Sequence, residues 1–312
     1  MGAIGNNNLL QLDKRLKQAF QAGAMDYKPV YDKVFNISTP ERKDELFTIV
    51  KMDNAATEVS DGAAYPESSI VELGSNTVSQ KIFKSAIPIS DFSEAFDNYG
   101  AIVRAANRKA YQFMYAIDQL CVAFFNNPTL TTAPYGITIG TTLTSLISNT
   151  QPIGDTGLTF DNRITGALDK VTLNDMYTGM ITMPSHENVI GGYRPDRLVV
   201  PAREAMNAWQ ITESPMEPES ANNNRNFSNT LGLTSIAKPL LTETGSVTTA
   251  TACYLHALKG ENGARGPQLL IKKNPYVKRV LNTDTGNQVY QVDMMLNAGI
   301  VDWQAIMGCG TY

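Results

Sequence analysis

The sequence is poor in the residues that most chemistry needs. It has two histidines, His186 and His256, and three cysteines, Cys121, Cys253 and Cys309, among 312 residues. Two imidazoles leave little room for acid–base or metal machinery. Three widely separated thiols fit a reducing compartment and unpaired cysteines rather than a disulfide framework. Cys253 and His256 stand at C-x-x-H spacing, half of a zinc site, but a structural site takes four ligands and no second pair lies nearby. The pair reads as a buried cysteine beside an ordinary histidine. Charge is scarce as well, at 18% of residues against about 25% in a typical soluble domain. Nor is there a basic excess: the net charge is −4, which argues against a dedicated nucleic-acid binder.

Long apolar runs are missing too. Gln119 to Gly154 carries no charged residue, yet Asn126-Asn127-Pro128, Gly136, Gly140 and many threonines interrupt it. A membrane span takes about 20 mainly apolar residues, so no membrane partner is expected. Met1 to Asn6 has neither a basic start nor an apolar core, and no signal peptide is expected. The segment Gly136-Ile137-Thr138-Ile139-Gly140 lacks the lysine of a phosphate loop and reads as a turn between strands. No G-x-S-x-G elbow occurs. Catalytic, cofactor-binding and metal-binding residues are therefore all expected to be none.

What the chain has instead is neutral polarity. Its 25 Asn and 29 Thr stand almost level with its 26 basic and 30 acidic residues. A surface of this kind is weakly protected by charge repulsion and suits a protein that packs against copies of itself. Folded compactly, a chain of this mass should expose roughly 13,000 Å².

The elements come in an unusual order. Met1 to Asp44 reads as an extended arm with one short helix containing Leu9, Leu12, Leu16, Ala19 and Phe20, too small for a core of its own, with neighbouring chains as expected partners. Glu45–Met52 and Thr77–Ile89 read as the strands of a long β-hairpin with a tip of about 24 residues, long enough to be interaction-making. A long amphipathic helix follows, with Phe92, Phe96, Tyr99, Val103, Ala106, Ala110, Phe113, Ile117, Cys121 and Phe124 at helical spacing. Asp91 and Glu94 form its capping box and Asn126-Asn127-Pro128 its stop, giving a rod of about 50 Å. A second helix ends at Pro184, and Pro201 opens a third after the strand Arg197–Val200. The remainder is strand-rich, and Tyr290, Val292, Met294 and Leu296 alternate with Gln291 and Asp293 as a half-buried antiparallel strand should.

This order resembles the major capsid proteins of tailed bacteriophages, the Hong Kong 97-type fold. The resemblance is carried by Thr77 to Ser90 running into the long helix, by Leu198-Val199-Val200-Pro201 before a helix, and by Gly299-Ile300-Val301-Asp302-Trp303. It implies an α+β fold with an N-terminal arm (1–44), an extended β-hairpin E-loop (45–89), a peripheral or P domain with a long spine helix (90–183), an axial or A domain (184–266), P-domain return strands (267–297) and a C-terminal segment towards the A domain (298–312). It further implies a structural head protein, not an enzyme, whose many copies form hexamers and pentamers of an icosahedral shell around double-stranded DNA. The implied partners are further copies, portal, scaffolding and decoration proteins, and DNA contacted non-specifically on the inner face. The implied location is the virion, assembled in the host bacterial cytoplasm. Only about 44 residues precede the hairpin, so a separate scaffolding protein, or none, is expected in place of a cleaved scaffolding region. Asp61, Tyr65 and Glu67 at the hairpin tip, Lys81 and Lys84 in its second strand, and Arg104 and Arg108 on the spine are the expected inter-subunit contacts. Some relatives crosslink E-loop lysines to asparagine, but no partner can be assigned to Lys81 or Lys84, and ordinary contacts are expected of them. The alternatives are an encapsulin-like nanocompartment shell protein and a soluble enzyme with an unrecognised site.

Overall fold

The computed structural model describes residues 4–52, 58–65, 67, 69–89, 100–216, 224–238, 240–241, 252–257, 266–281 and 288–310. Its helices of eight residues or more are α1 (Ile4–Asp26), α3 (Ala101–Asn126), α4 (Lys170–Thr182) and α5 (Ala205–Thr212); the short α2 is Tyr31–Val34. Fifteen strands occur among the described residues: β1 (Asn36–Ser38), β2 (Asp44–Met52), β3 (Ile70–Ser79), β4 (Lys81–Ile89), β5 (Ile137–Ile139), β6 (Thr142–Thr144), β7 (Gln151–Pro152), β8 (Thr159–Phe160), β9 (Arg163–Ile164), β10 (Arg197–Pro201), β11 (Thr234–Lys238), β12 (Cys253–His256), β13 (Pro267–Leu281), β14 (Gln288–Ile300) and β15 (Ile306–Cys309).

The spine helix follows its hydrophobic period. Ala106, Ala110, Phe113, Ile117, Cys121 and Phe124 are buried along one face of α3, whose 26 residues make a rod of about 39 Å. Gly100 sits at φ +63°, in the left-handed region, just before the first helical residue, and the expected helical positions Phe92, Phe96 and Tyr99 lie outside the described residues. Residues 90–99, where the Asp91–Glu94 capping box falls, lie outside the described residues. The arm departs further from expectation. Instead of an extended segment with a short helix, it forms α1 of 23 residues, lying along α3 of its own chain. Leu16 and Phe20 are buried there, and at Gly23 the helices approach so closely that a Cβ would overlap the Asn107 carbonyl. Small residues at such a crossing let the backbones meet. The chain then continues through α2 into β1, which pairs in parallel with β13.

Two sheets hold the rest. The four-stranded sheet runs β1-β13-β14-β4. The alternation expected of β14 is present: Tyr290, Val292, Met294 and Leu296 are buried, while Gln291 and Asp293 are half-buried. The strand expected as Thr77–Ile89 is divided. Its first residues belong to β3, which pairs with β2 in the hairpin, and after Gln80 the chain enters β4 and pairs with β14. The Gln80 N–H donates to the Lys43 carbonyl at 2.8 Å, so the backbone changes partners without leaving extended geometry.

The five-stranded mixed sheet runs β11-β10-β12-β15-β9. Leu198, Val199 and Val200 of β10 are fully buried, as befits a strand covered on both faces. The helix after Pro201 is a short 3₁₀ turn, Ala202–Glu204, leading into α5. Asp169 caps α4 by accepting from the Thr172 N–H at 2.6 Å, and this local bond holds its carboxyl below the usual range. One expectation is overturned here. Cys253 and Cys309 face each other directly across β12 and β15, their Cα atoms 5.2 Å apart, and form a disulfide. That separation suits the bond. Only Cys121 is free, buried on α3.

Candidate inter-subunit surfaces

The hairpin β2–β3 is apolar on both faces. Phe47, Ile49, Leu73 and Val78 are buried against the chain's own core. On the opposite face Leu46, Val50, Met52 and Ile70 are each more than half exposed, and Met52 stands directly opposite Ile70. A strand apolar on both sides is normally covered on both sides. Covering each such side chain is worth about 1.5–3 kcal/mol. The base of the hairpin is fixed in place: Asn76 donates from Nδ2 to the Val301 carbonyl at 2.8 Å and accepts from the Thr138 N–H at 3.0 Å. Farther out, Lys51 pairs with Asp155, whose carboxyl it holds below the usual range.

The expected contact residues lie on three elements. Asp61, Tyr65 and Glu67 are exposed at the hairpin tip, Tyr65 almost wholly so at 94%. Lys81 and Lys84 are not in the hairpin. Both are exposed on β4, the edge strand of the four-stranded sheet. Lys84 stands opposite Asp293 in the register. Asp293 accepts from the Tyr276 hydroxyl at 3.1 Å and has the Lys273 and Lys278 ammonium groups at 3.7 and 3.8 Å. A cationic edge strand resists pairing with the wrong neighbour. Arg104 and Arg108 are exposed on α3, one turn apart, and their stripe continues through the exposed Tyr111 and Tyr115. The two tyrosines escaped the sequence reading, although the 104, 108, 111, 115 spacing is helical. The outer hairpin face escaped it as well, although Leu46, Val50 and Met52 interleaved with Phe47 and Ile49 already spell a two-sided strand.

Buried titratable groups serve the fold. Asp118 of α3, 2% exposed, accepts from the Tyr27 hydroxyl at 2.7 Å and from the Tyr31 N–H at 2.8 Å, so it anchors the link from arm to spine. His186 and Asp302 are 2.9 Å apart and buried. Burial pulls the imidazole down, but the Asp302 carboxylate outweighs it and the net shift is upward. His256 has no such partner: burial, with Arg197 and Lys238 adding, pulls it down to about 3. No cluster of three or more metal-ligating groups occurs among the described residues. No described helix is long and apolar enough to cross a membrane.

Comparison with known proteins places the chain among capsid proteins. A family model described as phage capsid protein matches residues 75–307. Among solved structures, a virus-like particle from Pyrococcus furiosus superposes with a TM-score of 0.53 at 9% identity, covering 95% of this chain and 98% of that one. The capsid of Myoviridae phage XM1 gives 0.54 at 12% identity and covers 88% of each chain. The capsid of a native GTA particle gives 0.56 at 11%, covering 89% of this chain and 88% of that one. No curated protein matches.

Proposed function

Because the chain belongs to the phage capsid protein family, in which it is a structural major capsid protein of the virion with the Hong Kong 97-type fold, we propose how its parts build the shell. The four-stranded sheet with α3 and α4 acts as the P domain, the five-stranded sheet with α5 as the A domain, and β2–β3 as the E-loop. The copies close into hexamers and pentamers around double-stranded DNA, with portal, scaffolding and decoration proteins as further partners. The observation that carries this reading is a hairpin with an exposed apolar face. Only one apolar face of this hairpin is covered by its own chain, and laid across a neighbour it shares its stability with the assembly. Asp61, Tyr65 and Glu67 at its tip meet the adjoining copy, as do Arg104 and Arg108 on the spine. Lys81 and Lys84 contribute from the sheet edge. No catalytic step is assigned to the chain.

Electron microscopy of the purified protein tests this. Shells, rings or tubes are expected, together with loss of assembly but not of folding when residues 61–67 are deleted. Monomers alone under every condition would overturn the assembly scheme. Small uniform shells loaded with protein instead of DNA would turn the reading towards a nanocompartment.

A further inference from the structure

A cavity of about 360 Å³ opens where α1, α3 and the end of β11 meet. Its walls are mainly aromatic and aliphatic, Tyr27, Tyr111 and Tyr115 with Val30, Val122 and Leu240, and the exposed Asp26 and Lys28 stand at its rim. Tyr27 and Tyr111 pack edge to face at 5.0 Å between centroids. Two of its lining residues are buried and charged by nature, Asp118 and Lys238. Asp118 is fully engaged, accepting from Tyr27, Val30 and Tyr31. Lys238 is not. It is 1% exposed, and its Nζ has no hydrogen-bond partner among the described residues. The Phe35 ring lies 6.0 Å from it, at the outer limit of a cation–π contact.

An ammonium removed from water without an acceptor is costly, and folds keep such a group where something else supplies the acceptor. We propose that this cavity is a binding site for a small organic carboxylate with an apolar body, its carboxylate oxygens accepting from Lys238 Nζ and its body lying against Tyr27, Tyr111 and Tyr115. The volume is of the size that small-molecule sites have. Burial holds the free Lys238 amine below its ordinary basicity, and an incoming carboxylate favours the charged form. A bound carboxylate touches the arm at Tyr27, the spine at Tyr111 and the five-stranded sheet at Lys238, so it joins three separate elements at one point.

Phenylacetate serves as the probe and benzyl alcohol as its neutral counterpart, read by calorimetry and by thermal shift on unassembled subunits and on shells. The wild type should bind phenylacetate at least about tenfold more tightly than benzyl alcohol, the margin of a charge-assisted hydrogen bond. K238M should lose that preference while melting no lower than the wild type, because it removes the unpaired ammonium and keeps the stem. V122F should fill the cavity and abolish binding with Lys238 intact. Uptake by subunits and shells alike marks a free carboxylate as the occupant. Uptake by subunits with exclusion from shells marks a carboxylate side chain of a neighbouring copy. Equal affinity for the two probes, an unchanged preference in K238M, or no heat and no thermal shift at saturating phenylacetate would overturn the proposal.

Discussion

Replacing His256 by leucine should remove an acid-labile element of the subunit. The imidazole is fully buried, neither ring nitrogen has a hydrogen-bond partner among the described residues, and burial beside Arg197 and Lys238 holds it neutral down to about pH 3. In the unfolded chain it takes a proton near its ordinary value of about 6.5. Between those limits the unfolded state binds one proton more than the folded state, so stability falls as the pH falls, by about 1.4 kcal/mol per unit once well below 6.5. From pH 7.5 to pH 5.0 the integrated loss is about 2 kcal/mol. His186 works in the opposite sense: its raised pKa contributes stability that is complete below 6.5 and lost as the pH rises through the folded value. That contribution is common to wild type and variant and cancels in their difference. Urea unfolding of unassembled subunits at a series of pH values is the assay. His256→Leu should be more stable than the wild type by about 1 kcal/mol at pH 7.5, from relief of the unpaired polar group, and the gap should widen to about 3 kcal/mol at pH 5.0. Stability curves that stay parallel from pH 7.5 to 5.0 would refute the assignment.

Three other outcomes follow from the packing. The Cys253–Cys309 bond closes a loop with a sequence separation of 56, for which chain entropy gives about 4 kcal/mol; the double alanine variant should lose about 2–4 kcal/mol in urea, and a reductant should weaken the wild type but not the variant. Gly23→Val should force α1 off α3 at the Asn107 carbonyl and cost about 1–3 kcal/mol, read as faster hydrogen exchange confined to α1 and its contacts. Met52→Lys with Ile70→Lys should leave a folded subunit, by circular dichroism, that forms no shells; shells at wild-type yield would mean that no neighbour covers that face.

The helical period of α3 and the alternation along β14 were legible because each depends on a face that one contiguous segment presents to the core. The break at Gln80 was not, since a strand that changes partners keeps both its extended geometry and its composition. The arm misled for a related reason. Asn6-Asn7-Asn8 and the prolines after it suggest little helix, but Leu16, Phe20 and Gly23 form a stripe whose value appears only when α3 lies alongside. The disulfide rests on the register between β12 and β15, which no spacing in the sequence encodes. Nothing in the local sequence marks Asp118 or Lys238 for burial, which is a property of three converging elements. Of the proposed contact surfaces, the tip and the spine arginines could be named from polarity and position, while the apolar outer face of the hairpin needed the pairing of Met52 with Ile70 to be seen.

The passage from β3 to β4 through Gln80 also has a mechanical side. A pull on the hairpin enters β4 along its own axis, where nine consecutive residues are in register with β14. Tension in that direction loads the whole ladder at once, whereas a pull across the strand would open it one bond at a time. The hairpin is therefore hitched to the sheet by the stronger of the two geometries, and a load applied to it is carried into the sheet by the backbone ladder as a whole.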